Sequence, residues 1–359
     1  MRFGTFQLQS IPPWTNAQDV VQQHWDQMMA AERLGFHEIW LAEHNGRPYG
    51  MIGNTVTVAA ALAGATKRIR IATAVTRLPL HQATHLAEDL AYVDVLSQGR
   101  LDWGVGKGYD LHEFSTYGVN HDLREELWQE TFDAVRQMWS SGRTQWKSDH
   151  LEFADGELLP PPLSPGQVPT YVMVSGSEQS VVWAAQHGLP IALGSGPGWD
   201  DIKSRLEMYA DEAARAGFSD SVIEHNLKNT WQLRQVHVAT TTERAITEYK
   251  RGLMWYMDAV ANRAMFGFAR EQQPYEYYVE HKAVVLGSPE KVTAELAEYS
   301  ALTGINNIIC WFNLGGQPHA QVLSALELFS NEVMPKLAGV GYQWSTRNQA
   351  ASAVAQAAD

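Results

Sequence analysis

The chain has 359 residues, 45% of them hydrophobic, with a formal net charge of −13 and a pI near 5.4. Such a length builds one large α/β domain without demanding several, and the acidic balance argues against nucleic acid or an anionic membrane surface as partner, because both require a basic face. The single cysteine, Cys310, excludes an internal disulfide framework and fits a reducing cytoplasm; no apolar run spans a bilayer, and Met1-Arg2 followed by a strand-like run is no signal peptide.

In chain order, eight short runs rich in Val, Ile, Leu and aromatic residues read as strands: 2–8, 37–42, 69–75, 101–106, 170–174, 190–194, 231–239 and 307–312. Amphipathic helical stretches alternate with them, at 16–34, 85–96, 123–139, 180–187, 200–216, 242–257, 289–302 and 319–337. The strands are nearly continuous apolar runs, as expected when both faces are buried. Eight strand–helix alternations predict an α/β fold of the (β/α)8 TIM-barrel type, with a doubly wound open sheet as the competing architecture. Two long connections depart from a minimal barrel, one after strand four (140–170, with Pro160, Pro161, Pro162 and Pro165) and one after strand seven (259–285); long connections of this kind often serve as lids. Residues 1–340 form the single expected domain, and the Ala-, Gln- and Ser-rich tail, 341–359, is expected to be disordered.

Barrel chemistry sits at strand C-terminal ends. Strand two ends in Glu43-His44-Asn45, strand three in Ala74-Val75-Thr76-Arg77, strand four in Lys107-Gly108-Tyr109-Asp110, and strand five in Ser175-Gly176-Ser177. Adjacent strand residues point to opposite faces, so Glu43 and His44 need not touch. His44 is suited to acid–base work; its plain alternative is a structural histidine at a strand end. Ser177 reads as the N-cap of the next helix, whose free N–H groups attract a phosphate, with Ser180 adding a hydroxyl and Lys107 the countercharge. The plain alternatives are an ordinary cap and a solvated lysine. Gly104 and Gly106 read as letting a ligand approach the backbone. The Gly104-x-Gly106-x-Gly108 and Gly194-x-Gly196-x-Gly198 runs fail as dinucleotide fingerprints, since Tyr109 stands where a fourth glycine is needed and Pro197 interrupts the second. A metal site on His81, His85 and Glu88 is weak, and no metal is expected. There is no G-x-S-x-G hydrolase motif.

Several of these segments together resemble the bacterial luciferase family of flavin-dependent monooxygenases. The carrying residues are Ala42-Glu43-His44, Ala87-Glu88-Asp89 through Ser97-Gln98-Gly99-Arg100-Leu101, Gly104 to Tyr109, Phe114 with Tyr117-Gly118, Ser177 to Ser180 followed by Trp183 to Pro190, Leu286-Gly287-Ser288-Pro289, Thr303-Gly304-Ile305 and Val333-Met334-Pro335. They cover residues 1–340 in order, and they are closer to the luciferase α-type subunit than to the deazaflavin reductases of the same superfamily. The resemblance implies a cytoplasmic, dimeric, two-component FMN enzyme. A separate NAD(P)H:flavin reductase would supply reduced FMN (FMNH2), and O2 would be activated as a flavin C4a-peroxide.

Residue by residue, the resemblance makes His44 catalytic and places the FMN phosphate at Lys107, Gly176, Ser177 and Ser180. The flavin ring would lie over Ala74-Val75, where the family often has a non-prolyl cis peptide, with Tyr109 beside it. Gly176 stands where the luciferase has glutamate, so only its backbone can serve. Asn45 replaces a second histidine, which sets the chain apart from light emitters. The segment 259–285 matches the family's mobile loop. An apolar, carbonyl-containing small molecule would be converted to an ester or lactone, or an aldehyde to an acid, with Trp103, Tyr109, Trp311 and Phe312 as candidate walls. The alternatives are a deazaflavin-dependent oxidoreductase on the same barrel and a non-catalytic flavin-binding partner subunit.

Overall fold

A computed structural model describes residues 1–195, 199–261 and 273–340. The expected tail, the Gly196–Gly198 run and the central part of the 259–285 connection lie outside the described residues.

Eight parallel strands close into a barrel: β1 (Arg2–Gln7), β2 (Glu38–Leu41), β3 (Arg70–Thr73), β4 (Leu101–Gly106), β5 (Thr170–Val174), β6 (Ile191–Leu193), β7 (Trp231–Val238) and β8 (Asn307–Trp311). Each pairs with its successor, and β1 closes the ring on β8 through Arg2↔Asn307 to Thr5↔Cys310. The open-sheet alternative is thereby excluded. A further strand, Val284–Gly287, extends the upper half of β7 in parallel.

Alternation along the strands sorts side chains into two separate cores. Ile39, Leu41, Ile71, Ile308 and Cys310 join the core shared with the surrounding helices. Trp40, Ala72, Tyr171, Ala192, Trp231, Leu233 and Ile309 fill the barrel. Trp40 meets Tyr171 edge-on at 5.5 Å and lies 5.5 Å from Trp231. Below this aromatic layer, Arg70 clamps Asp102 bidentately at 2.6 and 2.8 Å. Buried Glu38 is pushed well above the usual carboxylate range by burial and by Asp102.

Asn16 caps the first helix, Ala17–Leu34, by accepting from Asp19 N–H, and Gly35 ends it at φ 81°. A helix at Thr55–Ala65 was not apparent in the sequence, because Thr-Val-Thr-Val-Ala-Ala-Ala-Leu shows no polar face to set a 3.6-residue period. Its C-terminus is secured by Arg100, which donates to Ala63 O at 3.1 Å and Thr66 O at 3.0 Å. The 140–170 connection carries a small hairpin, Trp146–Lys147 with Glu152–Phe153, and leads into the start of β5. It therefore returns at the N-terminal end of the barrel, opposite the strand endings, and is no lid over them. In the 259–285 connection, the helix Thr242–Ala261 runs further than expected and a short helix occupies Tyr275–Glu280. Among the described residues no helix is long and apolar enough to cross a membrane.

Between the first helix and the barrel, buried His24 lies 2.7 Å from Gln7 Oε1 and 3.2 Å from Asn313 Nδ2. Burial, with a smaller effect of His319, lowers its pKa from 6.5 to about 3. A lowered histidine pKa adds stability that is complete above the unfolded value of 6.5 and declines as the pH falls toward 3. Its share should fall by about 1.4 kcal/mol per pH unit. Chemical unfolding between pH 7 and 4.5 should therefore show a shallower acid decline for His24→Gln than for the wild type; parallel slopes would remove this role.

Candidate active site at the mouth of the barrel

Strand alternation sends Glu43 outward and His44 inward, as the spacing required. Glu43 is 2% exposed. It accepts from Arg77 N–H at 2.7 Å, and its Oε1 lies 2.8 Å from His81 Nε2. Burial alone would raise the Glu43 pKa; His81 and Arg77 outweigh it and hold the carboxyl below 4.5. His81 is thus a partner of Glu43, and no group of three or more His, Cys, Asp or Glu side chains able to hold a metal occurs among the described residues.

His44 is anchored by its N–H to Ile52 O at 2.9 Å. Its Nδ1 lies 2.9 Å from Glu113 Oε1 and 2.9 Å from the Tyr49 hydroxyl. Glu113, 1% exposed, also accepts from Asn45 N–H at 3.2 Å and pairs with Arg77 Nη1 at 2.5 Å. An ionised Glu113 favours the tautomer with the proton on Nδ1, which makes Nε2 the acceptor nitrogen. Tyr109 lies with its ring 6.0 Å from that of His44. Sequence reasoning missed Glu113. It sits on the short helix Leu111–Thr116, positioned by the Asp110 N-cap, and a lone carboxylate there carries no periodic signal. Asp110 in turn holds Arg47 through bonds of 2.9 and 3.1 Å, tying the loop after β2 to the end of β4.

At the end of β3 the Ala74–Val75 peptide is cis, and Ala74 N–H donates to Leu41 O at 2.6 Å. The neighbouring glycines serve this turn rather than a ligand. A Cβ on Gly104 would lie 1.8 Å from Thr73 O, and one on Gly106 would lie 2.8 Å from the Val75 side chain. The expected close approach is real, but the approaching group is the protein's own β3.

The turn after β5 has the features a phosphate needs. Ser177 is the N-cap of helix Glu178–Gln186, yet its hydroxyl caps none of the helix N–H groups. Ser180, on the first turn, is 8% exposed. Beyond its two chain neighbours, no atom of the described residues lies within 4 Å of the Cβ position of Gly176, so among these residues the space beside the turn is open. Lys107 is not the solvated cation of the plain reading: its Nζ lies 2.7 Å from Glu125 Oε1 and 5.9 Å from the Trp128 ring. Arg205, which the sequence did not single out, reaches this turn from helix Trp199–Arg215 and donates to Gly176 O at 3.3 Å.

Of the expected aromatic walls, Trp311 faces the barrel interior, where it meets Phe6 at 5.0 Å and Tyr256 at 4.8 Å. Trp103 and Phe312 do not. Trp103 stacks on Phe132 at 5.7 Å and Phe312 meets Phe329 at 5.4 Å, both in the outer core. Met254, Trp255, Tyr256 and Met257 of the helix after β7 pack against the inner core, giving the mouth an apolar wall.

With this geometry in hand, comparison with known proteins is informative. Residues 1–306 match the family described as luciferase-like monooxygenase. The chain is 27% identical over 355 residues to the alkanal monooxygenase alpha chain of Photorhabdus luminescens, covering 94% of this chain and 97% of that one. The oxygenating constituent of 3,6-diketocamphane monooxygenase from Pseudomonas putida, a type II Baeyer–Villiger enzyme solved with FMN, superposes with a TM-score of 0.80 at 19% identity, over 94% of this chain and 98% of that one. An F420-dependent secondary alcohol dehydrogenase shares the fold with a TM-score of 0.71 at 19% identity, over 94% and 98% of the two chains.

Glu43→Gln keeps the side-chain shape but removes the anion between Arg77 and His81, which should cost about 3 kcal/mol at neutral pH. A lowered carboxyl pKa adds stability above 4.5 that is lost as the pH falls through the folded value. Thermal midpoints of variant and wild type should therefore converge on the acid side; a gap independent of pH would refute the ionic account.

Proposed function

The chain belongs to the luciferase-like monooxygenase family, and from that premise we propose that it is an FMNH2- and O2-dependent monooxygenase acting on an apolar, carbonyl-containing small molecule. The observation that carries the reading is the pairing, on one barrel face, of an imidazole held by Glu113 and Tyr49 with an open, anion-accepting turn at Gly176–Ser180. Reduced FMN, when bound, supplies two electrons for splitting O2, one oxygen atom going to substrate and the other leaving as water. The residues Lys107, Gly176, Ser177 and Ser180 would hold its phosphate, Ala74-Val75 would support its ring, and Tyr109 would flank it.

His44 works as the proton-handling group. With its proton on Nδ1 toward Glu113, it offers Nε2 to take a proton from, or return one to, the reacting oxygen. Tyr49 and Glu113 position the ring; Arg77 pairs with Glu113 and holds it in place. The apolar wall of Met254, Tyr256 and Trp311 keeps water from the reacting centre and accommodates a substrate with little polar surface. A ketone would leave as an ester or lactone, an aldehyde as an acid. We assign the source of electrons to a separate NAD(P)H:flavin reductase, and a homodimer in a reducing cytoplasm as the working form. A deazaflavin-dependent oxidoreductase is the second reading, favoured by the fold shared with the F420-dependent dehydrogenase. The net charge of −13 offers little to a polyanionic cofactor tail.

A panel of ketones and aldehydes incubated with the protein, a flavin reductase, NADH and 18O2 should yield a product carrying one labelled oxygen. Unlabelled products throughout, with turnover on reduced F420, would favour the second reading instead. His44→Ala should lower product formation by at least about 100-fold while leaving FMN affinity nearly unchanged; equal losses in both would deny His44 its proton-handling role.

A further inference from the structure

Arg205 reaches the turn that follows β5, and Lys107 stands at the end of β4, the strand paired with β5. Both Glu125 oxygens lie within 2.9 Å of the Lys107 Nζ, so a phosphate would share it with that carboxylate. Arg205 differs. Its Nη2 donates only to the Gly176 carbonyl at 3.3 Å, and its Nη1 is buried without any hydrogen-bond partner. No carboxylate among the described residues pairs with it. A buried guanidinium N–H left without an acceptor is costly, and planar N–H groups of this kind match phosphate oxygens well. Beside it lies the open space at Gly176, together with a Ser177 hydroxyl that caps nothing in its own helix.

We infer that Arg205 binds the phosphate of the flavin cofactor and adds its positive charge to that of Lys107, which Glu125 shares. The inference rests on the FMN reading proposed above. Its geometry also gives Gly176 a reason: any carboxylate side chain at that position would fill the open space and neutralise Arg205. In this chain the open space at Gly176 leaves Arg205 without a carboxylate beside it, and the choice between flavin with and without phosphate lies with Arg205.

The test is calorimetric titration under argon with reduced FMN and with reduced riboflavin, which lacks the phosphate. Wild type should prefer FMN. Arg205→Met should lose at least about tenfold in FMN affinity and keep its riboflavin affinity, which also reports that the variant is folded. Arg205→Lys should recover part of the loss, and Gly176→Glu should reproduce it with Arg205 intact. The salt dependence of FMN binding should be weaker in Arg205→Met than in wild type. If wild type binds FMN and Arg205→Met binds it equally well, or if both flavins weaken in parallel, the role of Arg205 is overturned while the FMN reading stands. A wild type that binds neither flavin overturns both.

Discussion

The mouth of the barrel depends on one buried guanidinium. Arg77 is 2% exposed and lies between two buried carboxylates, Glu43 at 3.5 Å and Glu113 at 2.5 Å. A second branch donates to Asn45 Oδ1 at 2.5 Å. These contacts join three segments far apart in the chain: the end of β2, the turn after β3 and the short helix after β4. Burying one cation or one anion alone would be prohibitive, and burying them as a connected set removes most of that penalty. The set is continuous from His44 through Glu113, Arg77 and Glu43 to His81. His44 is therefore oriented by a rigid chain of charges whose far end has no contact with the reacting centre.

The same set explains what the sequence disclosed and what it withheld. The barrel was legible because each strand is a short apolar run and each is followed by a stretch of helical period. Glu43 and His44 stood out because they interrupt one such run, and their opposite orientations followed from strand geometry alone. Lys107, Ser177 and Ser180 were visible as strand endings, whereas the pairing of Lys107 with Glu125 was not, since it joins a strand end to a helix eighteen residues later. Glu113 and Arg205 escaped notice because each is one charged residue on a helix, and only the packing of that helix against a strand end brings it to the mouth. The helix Thr55–Ala65 escaped for the opposite reason, being apolar on every side. Gly104 was noticed for the wrong reason; its bare Cα accommodates Thr73 O. Trp103 and Phe312 were plausible pocket walls until strand register turned them outward, while the same register turned Trp311 inward.

Lys107 and Arg205 illustrate how a formal charge differs from an available one. Each contributes one unit to the composition; Arg205 reaches the turn after β5 and Lys107 stands at the end of the paired strand β4. Glu125 pairs with Lys107, and a carbonyl alone engages Arg205. An acidic chain can in this way keep one concentrated positive spot without a basic surface, because the field at a site is set by the nearest unpaired group and not by the sum over the chain.

The aromatic layer of Trp40, Tyr171 and Trp231 has a consequence for proton traffic. Beneath it, Asp102 and Arg70 border a solvent-accessible cavity of about 660 Å3 at the barrel's lower end, with buried Glu38 beside Asp102. That lower group could in principle exchange protons with the solvent and pass them upward. The interlocked rings carry no titratable relay: the Trp40 and Trp231 indole nitrogens are buried, and burial pushes the Tyr171 phenol well above its usual value. The barrel is thus insulated along its axis, like a tube stoppered at mid-height. In the proposed reaction, every proton that His44 gives or takes would therefore travel through the mouth, the same opening that would admit substrate.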